Sequence, residues 1–288
     1  MSIVLRANEA LSLNPASGVA ETLSLNGSNW LWAVTGIYLL SFIVLLTFCF
    51  TTPESDRVFH YLFTVALLVG AVTYYAEASD LGWSAIGQQP APLDPDQVSG
   101  RQLFYAKYIN WAISFPSVAL ALGLLSGVSW TTIFTNISIS WLWVLTYLAA
   151  AYVDSSYKWG FFAFGTLAWL ILAMSTLNES REAAALLGIG RHYIVLAGWA
   201  NLLWLLYPAA FGLSDGSRML GVTGGFIFFG ILDVLLVPVL SFAFLVLGRK
   251  WDYERLNLAF SDHRGGLDLE ESTKIKTAPV AGDNALAP

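Results

Sequence analysis

Between Met219 and Gly248 the chain reads MLGVTGGFIFFGILDVLLVPVLSFAFLVLG, an apolar run whose one charge is Asp233. About 20 helical residues cross the hydrocarbon core of a bilayer, and a helix satisfies every backbone N–H and C=O within such a segment. Six more runs of that kind precede it, at about Trp30–Phe50, Val58–Ala78, Leu103–Leu125, Trp130–Tyr152, Trp159–Thr176 and His192–Leu213. The fold class read from them is all-α, a bundle of seven transmembrane helices. Composition agrees: 12% of residues are charged, against about a quarter in soluble domains.

The runs divide the chain into an N-terminal tail (1–29), a seven-helix membrane domain (30–250) and a C-terminal tail (251–288). Arg57, Arg181, Arg191, Arg249, Lys250 and Arg255 fall at one set of span ends. The positive-inside rule then puts the N-terminus outside and the C-terminus in the cytoplasm. The connector after the second span, with Pro90, Pro92 and Pro95, reads as a long loop. RKWDYERLNLAF (249–260) reads as a helix extension ending the domain, or as one interfacial helix, and the tail beyond Ser261 as disordered. A net charge of −6 spread over loops gives no nucleic-acid surface, and one cysteine gives no disulfide or zinc framework. His60, His192 and His263 lie near or beyond span ends, so no metal site and no catalytic set emerges.

Ionisable side chains at membrane depth mark functional positions, and each needs a partner. Asp233 is one; Glu77 and Asp80 close the second span, and Lys107 opens the third. In the third span Lys107, Asn110, Trp111 and Ser114 share one helix face, followed by Pro116. Lys107 is then either the partner of Asp233 or a cation snorkelling to the outer interface. In the sixth span Trp204, Tyr207, Pro208 and Phe211 share a face, and Thr73-Tyr74-Tyr75 puts hydroxyls at depth in the second. Aromatic stripes of this kind ordinarily serve packing, and a buried phenol needs an acceptor.

Together these spans resemble the microbial (type 1) rhodopsins, above all their fungal branch. Lys107-Tyr-Ile-Asn-Trp111 with Pro116 resembles the third-helix motif, and Trp204-Leu-Leu-Tyr207-Pro208 the sixth-helix W-x-x-Y-P motif. The run Tyr74 to Gly82 is similar to the end of the second helix in fungal members, and Asp233 stands at the seventh-helix acid. The resemblance implies a seven-helix bundle of the microbial rhodopsin type. It also implies a retinal pocket, here vestigial, built from Tyr75, Trp111, Ser114, Trp204, Tyr207, Phe211, Asp233 and Val237. Tyr75, Tyr207, Lys107, Asn110 and Asp233 would form its polar cluster.

The departures bear on function. Val237 stands where the family carries its Schiff-base lysine, and no lysine or arginine occurs from Met219 to Gly248. Asn110 occupies the proton-acceptor position, Ala121 the proton-donor position, and Lys107 the position of an arginine. An aliphatic side chain cannot form an imine, so no covalent retinal is expected and the cofactor expectation is none. The chain thus resembles the fungal opsin-related proteins without the lysine, a group that includes heat-shock membrane proteins. That resemblance implies a stress-linked regulatory or chaperone-like role at the plasma membrane, with a proton-pumping ATPase as a possible partner besides the lipid bilayer. It leaves room for a homo-oligomer. The alternatives are passive proton or ion transport, and carriage of a non-covalent lipid or retinoid. An enzyme is the least expected reading.

Overall fold

The computed structural model describes residues 8–87, 100–256 and 258. Among the described residues, seven helices long and apolar enough to cross a membrane form the bundle: α1 (Leu25–Thr51), α2 (Val58–Ala78), α3 (Ala106–Ser126), α4 (Trp130–Tyr152), α5 (Lys158–Leu186), α6 (Gly190–Gly216) and α7 (Val222–Gly248). Consecutive helices pack side by side, and α1 returns to pack on α7. α3 runs through the centre and is 78% buried over its most apolar window, whereas α5 is only 28% buried there and turns most of its surface outward. Outward-facing leucine, valine and tryptophan are what lipid requires, so the exposed apolar side chains of α1, α4 and α5 need no other partner.

The ends of the bundle are built by local chemistry. Ser24 caps α1, its hydroxyl accepting from the Gly27 N–H, and Ser129 caps α4 through Thr132. At the end of α2 the Leu81 N–H returns to the Ala76 carbonyl and Asp80 takes a φ of 59°, a left-handed closure in which aspartate replaces the usual glycine. That aspartate is buried, and desolvation pushes its carboxyl up while the Gln102 amide, donating at 2.9 Å, works the other way. β1 (Trp83–Ile86) and β2 (Arg101–Phe104) pair antiparallel across this end, Trp83 opposite Phe104 and Ile86 opposite Arg101. The proline-bearing part of the connector lies outside the described residues.

Four places differ from the sequence reading. Residues 8–24 are not a free tail. Ala20 and Glu21 donate to the Gly100 carbonyl, Leu23 donates to Gln102, and Val19 and Leu23 are buried. α5 and α6 continue through π-helical turns, Ser175–Glu179 and Gly212–Gly216, so both outrun their apolar stretches. Among the described residues after Gly248, none extends α7 or forms a separate helix. They turn back, burying Trp251, Tyr253, Leu256 and Leu258 against the helix ends. Trp251 packs on Phe59 and Phe244 and donates its indole N–H to His192 Nδ1 at 2.9 Å.

Candidate functional site

Asp233 lies midway along α7, buried to 1% exposure, just before a π-helical turn at Leu235–Val239. Pro238 sits inside that turn. A proline lacks the N–H that an α-helix needs and clashes with the preceding turn, and single π-turns concentrate at functional positions. Two carbonyls beside it accept from side chains: Asp233 O from the Tyr38 hydroxyl at 2.9 Å, and Leu235 O from the Trp199 indole at 3.0 Å.

Four donors from three other helices converge on the Asp233 carboxylate. Tyr207 of α6 donates to Oδ1 at 2.5 Å and Tyr74 of α2 to Oδ2 at 2.5 Å. From α3 the Trp111 indole donates to Oδ1 at 3.0 Å and the Asn110 amide to Oδ2 at 3.2 Å. An ionised carboxylate offers about four lone-pair sites, and here four donors meet them, the Trp111 indole also lying 3.2 Å from Oδ2. No lysine or arginine lies within ion-pair distance of Asp233 among the described residues.

Beyond the carboxylate the centre is filled by rings. Phe115, one turn on from Trp111, stacks on it at 5.9 Å and meets Trp143 at 4.8 Å, Tyr207 at 4.9 Å and Trp204 at 6.1 Å. All five side chains are at most 1% exposed. Tyr147, Phe162 and Phe211 continue the stack toward the hairpin end. Val237 is buried in the same core cluster, and Ser114 of α3 is also buried. The indole N–H groups of Trp143 and Trp204 and the Asn110 carbonyl oxygen have no hydrogen-bond partner among the described residues.

A second polar site lies nearer the hairpin. Lys107 pairs with Asp215 of α6, Tyr108 donates to the same carboxylate at 2.6 Å, and Arg101 approaches its other oxygen at 3.9 Å. Arg101 continues to Glu21 at 3.7 Å. The buried carboxylate therefore has two cations. Glu77, 1% exposed, has no hydrogen-bond partner among the described residues.

The family follows from comparison with known proteins. Residues 27–247 match the model of the family described as "Bacteriorhodopsin-like protein". The chain belongs to this family. Among its relatives, Protein FDD123 of Trametes versicolor is 36% identical, the alignment covering 96% of this chain and 94% of that protein. The 30 kDa heat shock protein of Saccharomyces cerevisiae is 28% identical over 94% of this chain and 88% of its own. Of solved structures, the light-driven proton pump LR (Mac) from Leptosphaeria maculans superposes with a TM-score of 0.75 at 29% identity, covering 84% of this chain and all of that one.

Within this bacteriorhodopsin-like frame the expected site is corrected at two places. Lys107 does not pair with Asp233, because Asp215, carried inward by the π-helical end of α6, takes it instead. Nor does Tyr75 belong to the pocket or the polar cluster. It is 54% exposed, turned outward against the Trp32 edge, and Tyr74 holds the inward position. One residue along a helix rotates a side chain by about 100°, which separates these two directions. Trp111, Ser114, Trp204, Tyr207, Phe211, Asn110, Asp233 and Val237 are all buried. Sequence reasoning passed over Phe115 and Asp215. Phe115 had a signal, since Trp111 and Phe115 are one helical turn apart. Polar residues also line the far half: Asn201 and Thr176 bond each other and Tyr193 donates to the Thr176 carbonyl, but none of them bonds the Asp233 cluster.

The register correction has a measurable form. Tyr74→Phe removes a hydrogen bond to a buried carboxylate and is expected to cost about 1.5–3 kcal/mol. Tyr75→Phe should stay within about 0.5 kcal/mol of the parent. Thermal unfolding in one detergent compares the pair, and equal losses would reverse the assignment.

Proposed function

We propose that this chain is an opsin-related membrane protein that works without light, forming no retinal Schiff base and acting by interaction with other membrane components. The observation that carries this reading is the saturation of Asp233 by four side-chain donors beside a buried Val237. Schiff-base chemistry needs a lysine amine in the pocket, and valine supplies none. Lys107 of α3 is the alternative amine at membrane depth, and it is held by Asp215. The Phe115 ring fills space between Trp111, Trp143, Trp204 and Tyr207 that an elongated polyene would need. These residues do not fit a covalently held retinal.

The name of the yeast relative, a heat shock protein, supports a stress-linked role, regulatory or chaperone-like, in a fungal plasma membrane. In this reading the hairpin end faces outward. Arg57, Arg181, Arg191, Arg249, Lys250 and Arg255 gather at the opposite, cytoplasmic end. Incubating the purified protein with all-trans retinal is expected to give no red-shifted band and no borohydride-fixed adduct. An adduct mapped to any side chain of the bundle overturns the proposal.

A further inference from the structure

At the end of the bundle away from the hairpin, α1, α2 and α7 leave a cleft of about 410 Å³. Its inner wall is apolar, from Phe48, Phe242, Leu245 and Val246, and Val246 is 60% exposed on the bilayer-facing side. Its rim is polar: Thr51, Thr52, Asp56, His60, Arg249 and Tyr253. An apolar slot under a charged rim, at the depth where helices leave the hydrocarbon, matches a lipid lying with its head on the rim and its chains along the wall.

The rim is charged in both signs and its charges are not spent on each other. Arg249 and Asp56 form no ion pair, and the guanidinium has no hydrogen-bond partner among the described residues. Among the described residues the Asp56 carboxylate accepts from the neighbouring Ser55 hydroxyl alone, at 2.8 Å. His60 is buried, and its Nδ1 has no partner among the described residues. The Tyr253 phenol donates to no described residue. Burial, and then the charge of Asp56, pushes it up to about 12, so it stays a donor at any cellular pH. It is brought over the cleft by the turn after Gly248, where a Cβ would stand 2.7 Å from the phenol oxygen. A larger residue there would have to displace the phenol.

We propose that this cleft is a binding site for the headgroup of an aminophospholipid of the phosphatidylethanolamine type, its phosphate on Arg249 and Tyr253 and its ammonium on Asp56. One cation and one carboxylate on the rim match a zwitterion. A primary ammonium donates hydrogen bonds to a carboxylate, whereas the trimethylammonium of phosphatidylcholine has no N–H to give. The site therefore discriminates between two lipids of equal charge and similar chain.

Native mass spectrometry of the full-length protein in detergent, titrated separately with phosphatidylethanolamine, phosphatidylcholine and inorganic phosphate, tests this. A charge-assisted hydrogen bond is worth about 1.5–3 kcal/mol, so the ethanolamine lipid should bind roughly tenfold or more tighter than the choline lipid. Asp56→Asn should erase that preference, while Arg249→Gln should weaken both lipids. Arg249 is exposed and Asp56 half-buried, and the unfolding temperature of each lipid-free variant verifies its fold. Equal binding of the two lipids by the parent, or unchanged binding by both variants, reduces the cleft to ordinary annular contact and overturns the proposal. Competition by millimolar phosphate alone would make it a small-anion site and overturn the lipid assignment.

Discussion

Replacing Asp233 by alanine is expected to remove on the order of 4–6 kcal/mol of stability, enough to leave most of the protein unfolded or aggregated on extraction. The magnitude comes from what is left behind. Tyr74, Tyr207, Asn110 and Trp111 each aim a donor at one carboxylate and are all buried. A buried donor stripped of its acceptor costs about 1–3 kcal/mol, and four in one cluster add less than independently. Asparagine keeps one carbonyl oxygen but turns the other acceptor into a donor facing donors, so Asp233→Asn should cost roughly 1–3 kcal/mol. The test is denaturation of parent and both variants in the same lipid nanodiscs. An alanine variant within about 1 kcal/mol of the parent would mean that the carboxylate does not hold the helices together.

Installing the missing amine is the second large effect. Val237→Lys places a long cationic side chain where the parent residue is 1% exposed, beside a carboxylate whose lone pairs are in use. Overpacking alone costs about 1–3 kcal/mol, and the ammonium adds its desolvation. With all-trans retinal this variant is expected to form no pigment, because Phe115 still occupies the space among three tryptophans and Tyr207. Pairing it with Phe115→Ala should open the chamber and yield a borohydride-reducible, red-shifted species. Absorbance spectra of the folded, size-selected fractions decide. Pigment from Val237→Lys alone at the yield of the double variant would show that the rings do not close the chamber.

Both variants rest on features of unequal visibility in the sequence. The seven spans were legible because bilayer thickness imposes a length that any apolar run either meets or fails. Asp233, Tyr207, Trp111 and Val237 were legible from the order of the motifs around them. What escaped depended on helix phase or on helix ends. Tyr74 and Tyr75 are chemically the same, and only the rotation of α2 against α7 separates them. Asp215 follows Gly212 and Ser214 in a stretch that reads as a loop, yet the π-turn keeps it helical and turns its carboxylate toward Lys107. The polar run Asn178 to Glu182 similarly concealed the last two turns of α5. Phe115 carried only its one-turn spacing from Trp111, and an apolar residue in an apolar helix announces no role until its neighbours are known.

The reversal of the chain after Gly248 changes what the tail is fastened to. Trp251 is hooked to His192 at the start of α6 and wedged against Phe59 of α2, and Leu256 and Leu258 are buried after it. The result is a bracket that spans α2 and α6, both of which pack against α7. A partner gripping the tail would pull on that bracket and pass its load to α2 and α6, the helices that contribute Tyr74 and Tyr207 to the central carboxylate.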